Sequence, residues 1–551
     1  MSDLPRRRFL QRTLGSAAAL ASSPLLTRLG YAQAGRERAR MFINPRRAGA
    51  DLDRNLLGAF LEHLGRAIYE GVYDPDSPLA DKRGFRTDVL KEVRGLGVPI
   101  MRYPGGNFVS GYNWLDGVGP RKDRPTVIER AWNSIETNQF GTNDFMDWCR
   151  AIQSEPLLAC NLGTGTPEDA AHLAEYCNIE RGTKWSDLRR EHGYAQPHNV
   201  KYWCLGNEMD GPWQIGHMTS REYGRKARDA ARQIRVIDPK TQLIACGSSN
   251  NRMPTYLAWD REMLEECYDE VDAISLHNYY GNTDELTGQN SAHFVALNLD
   301  MERQIDEIIA VCDYVRGLQR RRKTLWLSFD EWNVWYREWS GDSVNGHKQF
   351  APPLLEEVYN LEDALLVGGF INTLLRQAER VRLGCLAQIV NVIAPLRTND
   401  EKTIRQTTFF PYEWALKYAH GRVLDLHIES LQYEIDRRSY LDESDLGMAR
   451  VEMTPYIDAT ATWDEKQGRL ALFLLNRDLA RERDIELNWI GAKPSKVLAA
   501  QTITGKDLKA TNTFDKPDTV VPQDLDLPQP GERMTVKLPA SSYTVLQFAT
   551  A

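Results

Sequence analysis

From about residue 50 to 400, short apolar runs alternate with longer stretches in which apolar residues recur every three or four positions. The runs are Leu56–Leu61, Val98–Tyr103, Pro156–Leu162, Val200–Leu205, Gln242–Gly247, Ala273–Tyr279, Thr324–Phe329 and Leu383–Val392. Each reads as a continuously buried strand, the pattern of a parallel sheet covered on both faces. Between the fourth and fifth runs, Thr219 and Glu222 form a capping box, and Tyr223, Ala227, Ala230, Ile234 and Ile237 line one helix face. Asp238-Pro239 then ends that helix. Eight strand-then-helix units predict an α/β fold, a (β/α)8 TIM barrel over residues 51–405, in preference to a doubly wound sheet. From 406 to 551 the runs Leu470–Leu475, Ile485–Leu487, Met534–Leu538 and Tyr543–Phe548 alternate and are separated by Gly, Pro, Asp and Asn. That spacing predicts an all-β sandwich.

Composition narrows the function classes. The 551 residues are 42% apolar and 26% charged with a net charge of −8, which excludes a collagen, a disordered tail or a membrane bundle. No basic footprint for nucleic acid or anionic lipid is present. The eight cysteines contain no C-x-x-C pair and the ten histidines no H-E-x-x-H, so no metal site is expected. Cys160, Cys204, Cys246 and Cys385 fall in strand-like runs, where a small core residue is the ordinary reading. Residues 1–34 combine Arg6-Arg7-Arg8-Phe9-Leu10, a short Ala- and Ser-rich apolar run and Ala32-Gln33-Ala34. This is the pattern of a twin-arginine-type signal peptide, and it predicts a periplasmic or secreted protein.

In a barrel, residues at the carboxyl ends of the strands face the active site. Strand four ends in Gly206-Asn207-Glu208 and strand seven in Asp330-Glu331-Trp332-Asn333. Two carboxylates brought to opposite sides of one bond are what glycoside cleavage requires. Other strand ends supply Glu62-His63, Arg102 to Asn107, His277 to Tyr280 and Gln388. His277 and Tyr279 share a strand face, and an Arg, a His and a Tyr beside a carboxylate hold it ionised and oriented. Blander readings stay open: a core histidine for His277, a plain turn for Gly105-Gly106, a cap for Asn107 and a buried amide for Gln388.

The words Phe60-Leu61-Glu62-His63-Leu64-Gly65-Arg66, Arg102-Tyr103-Pro104-Gly105-Gly106-Asn107-Phe108, Gly206-Asn207-Glu208-Met209-Asp210-Gly211, His277-Asn278-Tyr279-Tyr280 and Asp330-Glu331-Trp332-Asn333-Val334-Trp335 together resemble the family-51 glycoside hydrolases, mostly α-L-arabinofuranosidases. The resemblance implies that Glu208 is the general acid/base and Glu331 the nucleophile. It further implies that Asn207 bonds the sugar 2-hydroxyl, and that Glu62, Asn107 and Gln388 clasp the other hydroxyls. Arg102, His277 and Tyr279 then position the two carboxylates, and Trp335 lies beside the nucleophile. A strand at Arg40-Met41-Phe42-Ile43, within 35–50, joins the sandwich, and homo-oligomers are common among such proteins.

The function so implied is a retaining exo-glycosidase that removes terminal α-L-arabinofuranosyl groups from arabinoxylan, arabinan or their oligosaccharides without metal or organic cofactor. Retention requires the two carboxyl groups to lie about 5–5.5 Å apart, against about 6.5–9.5 Å for inversion. The rivals are an endo-glucanase, a xylosidase or another furanosidase on the same machinery, and a carbohydrate-binding protein with a dead site.

Overall fold

The computed structural model describes residues 38–437, 450–491 and 493–550. Eight parallel strands close into a barrel in chain order: Gly58–Phe60, Ile100–Tyr103, Glu155–Ala159, Tyr202–Leu205, Gln242–Ala245, Ala273–Tyr280, Trp326–Val334 and Val381–Leu386. All eight runs read from the sequence supply one strand each. Nearly every strand residue is buried, because the inward side chains fill the barrel and the outward ones pack beneath helices.

The helices follow their strands as the apolar periodicity requires. Ser220–Ile237 begins at Thr219, whose hydroxyl accepts the Glu222 N–H in a capping box, and buries Tyr223, Ala227, Ala230 and Ile234. The eighth helix, Phe409–Tyr418, lies beyond residue 405, yet it packs on strand one. Its Tyr412 hydroxyl contacts the carbonyls of Leu57 and Gly58 at 2.9 and 2.8 Å. The barrel therefore extends past the expected boundary, because this short aromatic helix carries little amphipathic signal.

Two sheets form the sandwich. A four-stranded sheet orders His427–Glu429, Ala39–Ile43, Arg483–Trp489 and Arg533–Leu538. A seven-stranded sheet runs Ala48–Asp51, Arg422–Leu424, Ile457–Asp464, Arg469–Asn476, Ser542–Thr550, Pro494–Ile503 and Gln523–Asp524. The segment before the barrel thus contributes a strand to each sheet, with Met41 and Ile43 in a second core beside Leu472, Leu487 and Phe548. Barrel and sandwich are tied by a buried ionic knot. Asp458 accepts from Arg376, Arg477 and Asn298, and Arg477 in turn donates to Asn298 at 2.7 Å. All eight cysteines are buried thiols. Among the described residues, no helix is long and apolar enough to cross a membrane.

Candidate active site

Glu208 and Glu331, 123 positions apart in sequence, meet at the carboxyl end of the barrel. Facing ligand atoms of Glu208, His277 and Glu331 all lie within 4.8 Å of one another. Glu208 follows strand four at φ +44°, a left-handed backbone disfavoured for a residue with a side chain. Gly206 at φ +97° makes the bend, and the Gly211 N–H closes it on the Glu208 carbonyl at 2.9 Å. Glu331 lies within strand seven rather than past its end, since that strand continues to Val334 and pairs Glu331 with His277.

The nucleophile candidate is held at both oxygens. Arg102 Nη1 donates to Glu331 Oε1 at 2.6 Å, and the Tyr279 hydroxyl donates to Oε2 at 2.8 Å. Arg102 also donates to Asn207 Oδ1 at 2.7 Å and lies over the Phe60 ring. The Asn207 Nδ2 is buried with no hydrogen-bond partner, which leaves its donors available to a ligand. His277 bridges the strands: Nε2 lies 2.9 Å from Asp330 Oδ1 and Nδ1 lies 3.0 Å from Glu208 Oε1. Burial alone would lower the proton affinity of His277, but the charge of Glu331 and the bonds to Asp330 and Glu208 overcome it and push the imidazole up to about 10. Asp330 stays below the ordinary carboxylate range, because Arg102 and His277 outweigh the penalty of its burial. Burial, with the charges of Glu331 and Glu208, pushes the Tyr279 phenol well up, so it stays a neutral donor.

Glu62 lines the opposite wall. It accepts the Phe108 N–H at 3.1 Å and the Trp132 indole N–H at 2.9 Å, and its own N–H donates to Gln388 Oε1 at 2.9 Å. Burial first, then the nearby charge of Glu331, drives its carboxyl well above the usual range despite those donors. Gly106, at φ +57°, lets this wall close: a Cβ there would come within 2.1 Å of the Glu62 carboxyl carbon. Trp335 stands edge-on to Tyr279, with ring centroids 5.4 Å apart, and donates its indole N–H to the Glu338 carbonyl.

These groups surround a cavity of about 390 Å³ lined by Glu62, Asn107, Glu208, Tyr279, Glu331, Trp335 and Gln388. Arg102, Asn207 and His277 are buried around the two carboxylates and hold them. All ten residues singled out in the sequence thus belong to one region. Trp132, Trp213, Trp339 and Arg252 also line the cavity and were not anticipated, and neither was the role of Asp330. A larger cavity of about 660 Å³ lies at the barrel–sandwich seam, where the ionic groups of Arg376, Asp458 and Arg477 already satisfy one another.

Comparison with known proteins follows the same lines. Residues 92–295 match the family described as Alpha-L-arabinofuranosidase 1 domain, and residues 330–542 match Alpha-L-arabinofuranosidase C-terminal domain. The chain is 44% identical over 485 residues to the intracellular exo-α-(1→5)-L-arabinofuranosidase 1 of Bacillus subtilis (strain 168), covering 88% of this chain and 93% of that one. It is 39% identical over 525 residues to an exo-α-(1→6)-L-arabinofuranosidase of Bifidobacterium longum, covering 93% of this chain and 97% of the relative. A solved family 51 α-L-arabinofuranosidase from Bifidobacterium longum superposes with a TM-score of 0.85 at 38% identity, over 93% of this chain and 99% of that one. The relatives correct the expectation of a periplasmic or secreted protein, since the four at 43–45% identity are all named intracellular. The signal pattern lies in residues 1–34, outside the described residues.

Proposed function

Because this chain belongs to the family 51 α-L-arabinofuranosidases, glycoside hydrolases, we propose that it removes terminal α-L-arabinofuranosyl groups from arabinan- or arabinoxylan-type chains by a two-glutamate double displacement. The approach of Glu208 and Glu331 oxygens to within 4.8 Å carries this reading. It suits the roughly 5–5.5 Å of a retaining pair and leaves no room for the interposed water of an inverting one.

In the first half-reaction a Glu331 oxygen bonds the anomeric carbon while Glu208 passes its proton to the departing glycosidic oxygen. In the second, Glu208 takes a proton from water, which attacks the same carbon and displaces Glu331 with net retention. Arg102 and Tyr279 hold the two Glu331 oxygens and aim them, and Asn207 offers its unpaired N–H to the sugar. Glu62, Asn107 and Gln388 present hydrogen-bonding groups to the ring hydroxyls.

One end of the cavity is walled, which suits removal of a terminal unit. The hairpin carrying Trp132 is bonded to the 345–350 loop through Gly346 N–H to Trp132 O at 2.8 Å, Lys348 N–H to Asn133 O at 2.6 Å and Ile135 N–H to Gln349 O at 2.9 Å. The relatives named for (1→5) and (1→6) activity make both linkages substrates to compare. The test is arabinose release from nitrophenyl α-L-arabinofuranoside and from linked arabino-oligosaccharides, set against cellulose and xylan. Glu331→Ala and Glu208→Ala are each expected to lose turnover by about 10³-fold or more with folding intact. Azide restores Glu331→Ala and yields an arabinosyl azide of inverted configuration. Glucan cleavage without arabinose release, or an active double variant, would refute the proposal.

A further inference from the structure

Trp213 is an odd residue in this fold. Of the 14 tryptophans, Trp213 and Trp339 keep about half their surface in water, at 47% and 51%, and both line the catalytic cavity. An indole has one N–H and no acceptor. Trp213 directs that N–H to Glu208 Oε2 at 2.7 Å, although water was available to it. The other Glu208 oxygen faces His277 Nδ1 at 3.0 Å, on an imidazole that carries its proton. Both hydrogen bonds that reach the Glu208 carboxyl therefore come from N–H donors, an arrangement that fits a carboxylate.

Building on the double displacement proposed above, we infer that Trp213 is a positioning residue for the acid/base: its indole N–H holds one Glu208 oxygen as a carboxylate for the second half-reaction and yields that oxygen to the glycosidic bond in the first. The two half-reactions make opposite demands on Glu208. While the anomeric carbon–oxygen bond breaks, its proton must go to the leaving oxygen. While water attacks the glycosyl-enzyme, it must accept a proton. A donor on the carboxylate favours the second state over the first. The leaving oxygen needs a Glu208 oxygen, and Oε2 is the one held only by a half-exposed ring, whereas Oε1 is tied into the buried His277–Asp330 pair. Arrival of the leaving group thus exchanges one hydrogen bond for another at the same atom.

The titratable and charged groups around Glu208 are His277 and Tyr279 from strand six, Asp330 and Glu331 from strand seven, and Arg102 from strand two. Asp210 lies on its own loop, with Glu62 and Arg252 across the cavity. Asp210 must be controlled for, because burial, working against hydrogen bonds from Ser249, pushes it up to about 6.

The test is Trp213→Phe, which keeps a flat ring and removes the N–H. Loss of a donor to a carboxylate disfavours its charged form. The basic limb of kcat/KM is expected to move up by about half to one pH unit. With a dinitrophenyl arabinofuranoside, where breakdown of the glycosyl-enzyme limits kcat, the acidic limb moves up as well and turnover at low pH falls. Both displacements persist in an Asp210→Asn background. Limbs that superpose on those of the parent, with a change in KM alone, would reduce Trp213 to a surface against which the leaving group rests, and would overturn the inference. So would displacements that vanish with Asp210. A second readout is independent of activity. In protein labelled with ¹⁵N-tryptophan, the indole resonance missing from Trp213→Phe is displaced by Glu208→Ala; an unmoved resonance overturns the inference. Absence of arabinofuranoside hydrolysis by the parent protein would defeat the proposed function, and the resonance would still decide the role of Trp213.

Discussion

Asp330→Asn isolates the charge behind His277. Asp330 is fully buried, and one of its oxygens meets His277 Nε2 at 2.9 Å. The other receives the Cys204 thiol at 3.3 Å, with Arg102 Nε at 3.8 Å completing an ion pair. His277 stands at about 10 in the fold, against an ordinary 6.5. Each tenfold change in proton affinity is worth about 1.36 kcal/mol, so the bound proton contributes roughly 4 kcal/mol at pH 7. Glu331, Asp330 and Glu208 share in that effect, and removing the Asp330 charge is expected to withdraw about 2 kcal/mol of it. The folded value lies above the unfolded one, so the contribution is complete below pH 6.5 and disappears as the pH climbs through about 10. Equilibrium urea unfolding of both proteins from pH 6 to 10.5 therefore shows a stability gap that is widest at the acid end and narrows by about 2 kcal/mol toward pH 10. What remains there is the pH-independent loss of the contact with Arg102. A gap of constant size over the whole range would refute the assignment of the proton to His277.

Gly106→Ala places a Cβ 2.1 Å from the Glu62 carboxyl carbon at a backbone φ of +57°. A loss of about 2 kcal/mol or more and a collapse of kcat/KM are expected; thermal melting and kinetics near those of the parent would contradict the wall described here. Asp458→Asn strips the shared partner from Arg376 and Arg477 at the barrel–sandwich seam, at an expected cost of about 3–5 kcal/mol at pH 7. Asp458 lies far below the ordinary carboxylate range because Arg376 and Arg477 outweigh its burial. Its contribution is therefore present at pH 4 and lost only in strong acid, which melts across that range will show.

The barrel was legible because its signal is redundant. Eight buried runs each mark a strand, and chain order equals spatial order in this topology. Glu208 and Glu331 were legible for a related reason, since strand ends are the one place where a barrel collects distant residues. The loops that complete the cavity gave no such handle. Trp132 sits on the hairpin between Val127–Glu129 and Ser134–Glu136, and Trp339 lies beyond strand seven. Their positions depend on how two irregular connections bond to each other, and no periodicity reports that.

Asp330 was missed for a sharper physical reason. Alternation along a strand sends neighbours to opposite faces, so a carboxylate beside a chosen Glu331 reads as an outward residue or a cap. Strand seven departs from alternation at this point: its register with strand eight shifts between Phe329 and Trp332, and its register with strand six shifts at Ser275–His277. The irregularity lets Asp330 meet His277 and Cys204 while Glu331 meets Arg102 and Tyr279. Glu208 carries its own local conflict, a left-handed backbone at a non-glycine position. Each acidic residue thus breaks a local rule, Glu331 within strand seven and Glu208 in the turn after strand four, and hydrogen-bond partners hold each exception in place. Local rules fail where a surrounding network over-determines the geometry, so the departures mark the site that the regular elements only frame.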